Sequence, residues 1–244
     1  MNRTGNRQSG IAIGPILFVV AILAVLASAI AAGSGAFNSD TSAVKAKAQA
    51  SAILEYANEV KFAVDRLLAK GCADTQISFE NPIVSGYTNP NAPSDKSCHV
   101  FDVNGGGIVW KGPPIGSAIT VPTGYAPGVY FYTGNVCVAG VGSASGAYYG
   151  SGIPSCWTDD STSSSIMVTT DIRPEICDAL NTMLGIKLLN SGQNKSNGIW
   201  GDKYIGSYVN ATGAIDSQAT IGKMMGCAQV DAAYTYFYAV LIPR

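Results

Sequence analysis

Between Arg7 and Asp40 the chain has no ionisable side chain, and inside that gap Ile11 to Ala32 form an apolar run interrupted only by Gly14, Pro15 and Ser28. At about 1.5 Å per residue the run would be about 33 Å long as a helix, enough to cross the hydrocarbon core of a bilayer. The leader before it, residues 1–10, has Arg3 and Arg7 as its charged side chains. Such a basic flank holds its side of the membrane in the cytoplasm. Membrane insertion is therefore the first expected act of this chain.

Three kinds of processing fit this beginning. A secretory signal peptide has an apolar core of about 7–15 residues and a small-residue cleavage site. Ala29-Ile30-Ala31 offers such a site, but the apolar run is longer than that class requires. An uncleaved anchor fits both length and charge. In the third reading the cut falls at the Gly10-Ile11 junction, ahead of the run, and the helix stays on the mature protein.

The segment that follows favours helix from about Ser42 to Lys70, led in by Ala43, Ala46, Ala48, Ala50 and Ala52. Ile53, Tyr56, Ala57, Val60, Val64, Leu67 and Leu68 recur at the spacing of one buried stripe. Glu55, Glu59, Lys61, Asp65, Arg66 and Lys70 fall largely on the remaining surface. Asp40, Thr41 or Ser42 suits the start, and Gly71 suits the stop. Between the two helical segments, Gly33 and Gly35 each cost about 1 kcal/mol against alanine. Residues 33–41 are accordingly expected to be a flexible connector, 42–71 an amphipathic helix and 72–244 a globular head.

The head has a β texture. Candidate strands are Gln76–Phe79, His99–Val103, Gly107–Trp110, Ala118–Val121, Val129–Tyr132, Val136–Val138, Ile166–Thr170 and Tyr234–Ile242. Asn104-Gly105-Gly106 carries a hairpin signal between two of them. Pro82–Pro93 and Ser143–Ser165 read as loops. A second helix opens at Pro174, shows Ile176, Cys177, Leu180, Met183 and Leu184 on one face, and stops at Gly185. Alternation in the last strand places Tyr234, Tyr236, Tyr238, Val240 and Ile242 together.

Six cysteines, Cys72, Cys98, Cys137, Cys156, Cys177 and Cys227, all lie beyond the first helix. An even count confined to the exported part points to disulfides made in an oxidising compartment. Six cysteines allow 15 pairings; the set in sequence order, Cys72–Cys98, Cys137–Cys156 and Cys177–Cys227, closes loops of moderate size.

Taken together these features resemble the type IV pilin and pseudopilin family. The leader ending at Gly10 resembles the class III signal of prepilins, with Gly10 and Ile11 flanking the cut. The cysteine-bearing second helix, linked to a cysteine near the end of the chain, resembles the disulfide-bounded region of type IVb pilins. The resemblance implies an α+β fold: a long N-terminal helical spine, membrane half plus amphipathic half, packed on an antiparallel β-sheet head with disulfides. It also implies a structural subunit of a pilus or pseudopilus, with sister subunits, a prepilin peptidase and assembly machinery as partners. Such a subunit waits in the bacterial inner membrane and then joins a surface filament or a periplasmic pseudopilus. Gly14, Pro15, Ala21, Ala24, Ala27, Ser28 and Ala31 are the expected helix-packing positions. Pro15 is a departure, because most type IV pilins carry a glutamate at mature position five that neutralises a neighbour's amino terminus. Proline cannot do so, and it removes a helical hydrogen bond to the Ile11 carbonyl.

The other class of function is a singly anchored or secreted binding or adhesion protein displaying the same head. Chemistry has little footing. The formal charge of −1 comes with no basic stripe in the head, so nucleic acid has no electrostatic footprint. His99 is the one histidine, and its neighbour Cys98 is expected to be oxidised. Asp159 and Asp160 lack EF-hand spacing, Gly105-Gly106-Gly107 lacks the P-loop lysine, and no C-x-x-C occurs. Asn194-Lys-Ser196 and Asn210-Ala-Thr212 match glycosylation acceptors, which a prokaryotic leader makes incidental. Tyr148, Tyr149 and Trp157 offer aromatic surface, for which core packing is the ordinary fate. No catalytic residue, metal or cofactor is expected.

Overall fold

The computed structural model describes residues 13–118, 128–142, 148–149, 153–154, 163–169, 172–187, 203–208, 213–215, 217, 219–230 and 234–244, with side chains from Thr41 onward apart from several strand positions. The chain is α+β. Its first element is α1, Ile13–Ala69, which takes in residues 33–41 as well as both flanking helical segments. Contacts divide the chain at Lys45/Ala46. The fold of the second unit, Ala46–Arg244, is as follows.

Within this unit α1 buries Ala46, Ala50, Ile53, Tyr56, Ala57, Val60, Ala63, Val64 and Leu67, the stripe its periodicity dictates. The helix stops at Gly71, whose φ of 97° is open to glycine without a Cβ clash. The Gly71 N–H donates to the Leu68 carbonyl (3.0 Å) and the Cys72 N–H to the Leu67 carbonyl (3.1 Å). This is a Schellman stop, which satisfies carbonyls the helix itself cannot. α2, Pro174–Met183, ends likewise, with Gly185 donating to Thr182 and Ile186 to Asn181.

The remaining regular elements are β1 (Tyr130–Val138), β2 (Tyr148–Tyr149), β3 (Ile153–Pro154), β4 (Ser163–Thr169), β5 (Gly213–Ile215), β6 (Met225–Val230) and β7 (Tyr234–Ile242). Five of them form one sheet in the order β5-β1-β4-β7-β6, while β2 and β3 pair separately. The large sheet is antiparallel except at its edge, where β5 runs parallel to β1. One face of β7 puts Phe237, Ala239 and Leu241 into the main core, shared with α1 and α2. Its other face puts Tyr236, Tyr238 and Val240 into a second cluster with Val136, Val138, Val141, Ile215 and Ala228.

Two bulges decide which residues reach which core. On β1 the register passes from Thr133↔Ile166 to Val136↔Ser164, so Gly134 and Asn135 together oppose one residue of β4. An extra residue reverses the facing of everything beyond it. Tyr130 and Tyr132 therefore join the main core, and Val136 and Val138 join the second cluster. On β7 the step from Ser165↔Ile242 to Ile166↔Val240 leaves Leu241 extra. Ile242 thereby enters the main core, away from Tyr236, Tyr238 and Val240, and the simple alternation expected of this strand fails at its last residue.

The segments before β1 also differ from expectation. Gln76–Phe79 and His99–Val103 form no strand beyond the single parallel bridge Ser78↔His99, and Gly107–Trp110 joins no ladder. Side chains take over the backbone groups here. Asn89 Nδ2 donates to the Thr75 and Ile77 carbonyls, and Asn81 Oδ1 accepts from the Ile83 and Val84 N–H groups. Asn104-Gly105-Gly106 makes a compact turn, with Gly105 donating to Asp102 and Gly106 to His99, and no hairpin follows. The strands expected at Val129–Tyr132 and Val136–Val138 are one bulged strand, β1, which begins at Tyr130. Ala118 makes an isolated bridge to Ile172; positions 119–121 and Thr170 lie outside the described residues.

Aromatic rings fill the junction of these parts. Phe79 stacks on Tyr132 at 4.5 Å, and Tyr87, Phe101 and Tyr204 surround the pair. Gly134 makes the Tyr204 position possible, since a Cβ there would lie 2.5 Å from the Tyr204 ring. Gly134→Ala should lower the unfolding free energy by about 1–3 kcal/mol, as overpacking does. In a Tyr204→Ala background that penalty should largely vanish. Chemical denaturation of the four proteins checks this, and an unaltered midpoint for Gly134→Ala alone contradicts it.

Candidate functional site

The residues weighed for function in the sequence fall in three places. Gly14, Pro15, Ala21, Ala24, Ala27, Ser28 and Ala31 all lie within α1, though nothing beyond their helical backbone is described. Gly10 and Ile11 lie outside the described residues. Among the residues searched for a span, no helix is long and apolar enough to cross a membrane. The apolar run is a property of the sequence, residues 11–32.

The second place is the disulfide framework. Cys72–Cys98 forms with a Cα–Cα distance of 5.9 Å and Cys177–Cys227 with 5.4 Å. Cys137 is also in a disulfide, while Cys156 lies outside the described residues. Each of the two bridges locks a helix to its surroundings. Cys72 follows the stop of α1 directly, so the first bridge holds that helix end to the loop at Cys98. The second ties α2 to β6. Asn181 reinforces it: its Nδ2 donates to the Cys227 carbonyl and its Oδ1 accepts the Cys227 N–H, both at 2.9 Å. Asn181 is buried, and it imitates the pairing of a neighbouring strand at this position.

His99 occupies the third. The residue is buried and follows the bridged Cys98 in the chain, with Glu80, Lys96, Asp102 and Asp95 near enough to affect its charge. Burial pulls its pKa below the ordinary 6.5, against the opposing field of Glu80. Cys98 has no thiol to offer it, because its sulfur is bonded to Cys72. A Cys-His nucleophile is therefore absent at this position. Gly105-Gly106-Gly107 belongs to the turn already described. Among the described residues no group of three or more His, Cys, Asp or Glu side chains is placed to hold a metal ion. Trp157, Asp159, Asp160, Asn194–Ser196 and Asn210–Thr212 lie outside the described residues, as do the side chains of Tyr148 and Tyr149.

Sequence reasoning passed over two features that the fold brings forward. One is Asn181, whose polarity on an otherwise apolar helix face was the available signal. The other is a strap, residues 107–117, laid along α1. Gly107 lies beside Arg66, the Lys111 N–H donates to the Tyr56 hydroxyl (3.0 Å), Lys111 Nζ pairs with Glu59 (2.7 Å), and Gln49 Nε2 donates to the Ile115 carbonyl (2.9 Å). Gly112-Pro113-Pro114 in its middle is the sequence signal, since proline forces its predecessor into extended backbone. The chain matches no family model, no curated protein and no solved structure.

Two outcomes follow from these contacts. Asn181→Ala leaves the Cys227 N–H and carbonyl buried without partners and should cost about 2–4 kcal/mol in chemical denaturation. A cost under about 0.5 kcal/mol contradicts the pairing role. For His99, a folded pKa below the unfolded one means that the unfolded chain binds the extra proton. Stability from this group is then full above about pH 6.5 and declines as pH falls below it. His99→Gln should flatten that slope between about pH 7.5 and 5, as read by unfolding midpoints. A steeper slope in the variant overturns the sign.

Proposed function

We propose that this chain is a type IV pilin-like subunit of a surface pilus or secretion pseudopilus. One observation carries the reading: an apolar run long enough to span a bilayer follows a basic leader ending at Gly10 and leads, by way of an amphipathic helix, into an α+β head locked by disulfides. In this reading Arg3 and Arg7 orient insertion, a prepilin peptidase cuts between Gly10 and Ile11, and residues 11–32 hold the subunit in the inner membrane. An assembly ATPase and platform protein then transfer the segment into a bundle of sister helices.

Leaving lipid for such a bundle yields little hydrophobic free energy, because both surroundings are apolar. Close contact at Gly14, Ala21, Ala24, Ala27, Ser28 and Ala31 has to supply the gain. The disulfides suit a head that works outside the cytoplasm, and the head's task is to fold alone and present surface to its neighbours.

Ala24 gives the test. Ala24→Arg puts a charge in the apolar run at a cost of about 2.5–3.5 kcal/mol in the membrane. Ala24→Leu keeps the segment apolar and removes only close approach. Both variants should retain the native disulfides of the head and an unchanged unfolding midpoint. Filament yield should fall at least tenfold for arginine and measurably for leucine, scored by sedimentation of sheared filaments and electron microscopy. Filaments of normal number and length from both variants contradict the reading.

A further inference from the structure

The solvent face of α1 in the head is unusual in what it leaves uncovered. Ala48, Ser51, Ala52, Glu55, Asn58 and Phe62 follow one another along this face, all exposed. Phe62 is 68 % exposed, and on the adjoining strap Val109 is 72 % and Ile115 98 % exposed. The contacts of the strap fix their order along the helix: Ile115 beside Gln49, Lys111 beside Tyr56 and Glu59, Gly107 beside Arg66. Val109 thus lies along the stretch of α1 that holds Phe62. Small residues occupy the earlier part of this face and large apolar ones its margins and far end. A second helix can approach closely there and gain apolar contact.

Charge says which helix. Lys61 is paired with Asp65 on α1 itself, and Glu59 with Lys111 of the strap. Lys47 and Glu55 on the same exposed side have no charged partner among the described residues. They are eight residues apart, about 12 Å along a helix. They are too distant to meet within one chain, and opposite in sign. Copies inserted in the membrane with one orientation lie parallel. A parallel neighbour displaced by about 12 Å brings its Lys47 to this chain's Glu55, and the same step repeats without closing.

We propose that the exposed face of α1 between Lys47 and Phe62, with Val109 and Ile115 of the strap, is the surface on which a second copy of this chain docks, in register through an intermolecular Lys47–Glu55 pair. This rests on the filament reading above and adds the axial step and the residues that set it. The small residues admit the neighbour, the apolar margin supplies contact area, and the ion pair selects the stagger. A pair of this kind contributes modestly to affinity and more to register.

Charge exchange tests it in the full-length chain. Lys47→Glu and Glu55→Lys each place like charges at the contact and should lower filament yield at least threefold at low salt. The double variant Lys47→Glu/Glu55→Lys should return to within twofold of the parent. Both positions are exposed, so unfolding midpoints should match the parent in all three proteins. As a second measurement, co-expressed Lys47→Cys and Glu55→Cys chains should yield a disulfide-linked dimer of the two variants in sheared filaments. If the parent forms filaments while the single variants assemble normally, or the double variant fares no better than the singles and no cross-link forms, the docking surface is wrong and the filament reading stands. If the parent forms no filaments, both fall together.

Discussion

Burial of the α1 stripe against the sheet is the interaction on which the rest of the head depends. Ile53, Ala57, Val60, Val64 and Leu67 are almost wholly removed from water, and Tyr56 reaches the sheet through a ring contact with Tyr130 at 5.0 Å. Each large aliphatic side chain buried in this way contributes about 1.5–3 kcal/mol. The gain is available only if the sheet presents Tyr130, Tyr132, Phe237, Ala239 and Leu241 to the same side. Alternation does this for both strands, β1 and β7, and the bulge at Gly134-Asn135 turns Val136 and Val138 away to the second cluster. The described residues between α1 and β1 join no ladder beyond isolated bridges, so asparagine side chains, the stacked aromatics and the Cys72–Cys98 bridge fasten them to the core.

That dependence explains which parts of the fold could be read from the residues. Helical periodicity, alanine content and Gly71 locate α1 in the head, and Pro174 with Gly185 brackets α2 closely. β7 emerges at Tyr234–Ile242 because its residues are apolar on both faces. Strands without such a signature escaped: β6 begins Met-Gly-Cys-Ala, and β5 is Gly-Ala-Ile. Conversely, His99–Val103 has β-prone residues but hands its hydrogen bonds to a turn built on Asp102. The bulges were invisible for a related reason. A one-residue slip is decided by what fits across the sheet, here the Tyr204 ring over Gly134, and periodicity contains no record of it.

For function the position is reversed. The segment proposed for assembly stands out in the sequence because a bilayer imposes a length and a polarity that few other environments demand. The surface that would meet a neighbour does not, since Phe62 and Val109 become a patch only when the strap is laid along α1. The two scales fit one purpose. A retained apolar helix would hold copies together, and the exposed face of the amphipathic helix would set how they step.

The mature amino terminus of full-length protein recovered from membranes, read by intact-mass and terminal-peptide mass spectrometry, tests the central claim most directly. A chain beginning at Ile11, with residues 11–32 still attached to the head, is the result this account predicts. A chain that still carries Met1, or one that begins near Ala32, would contradict it.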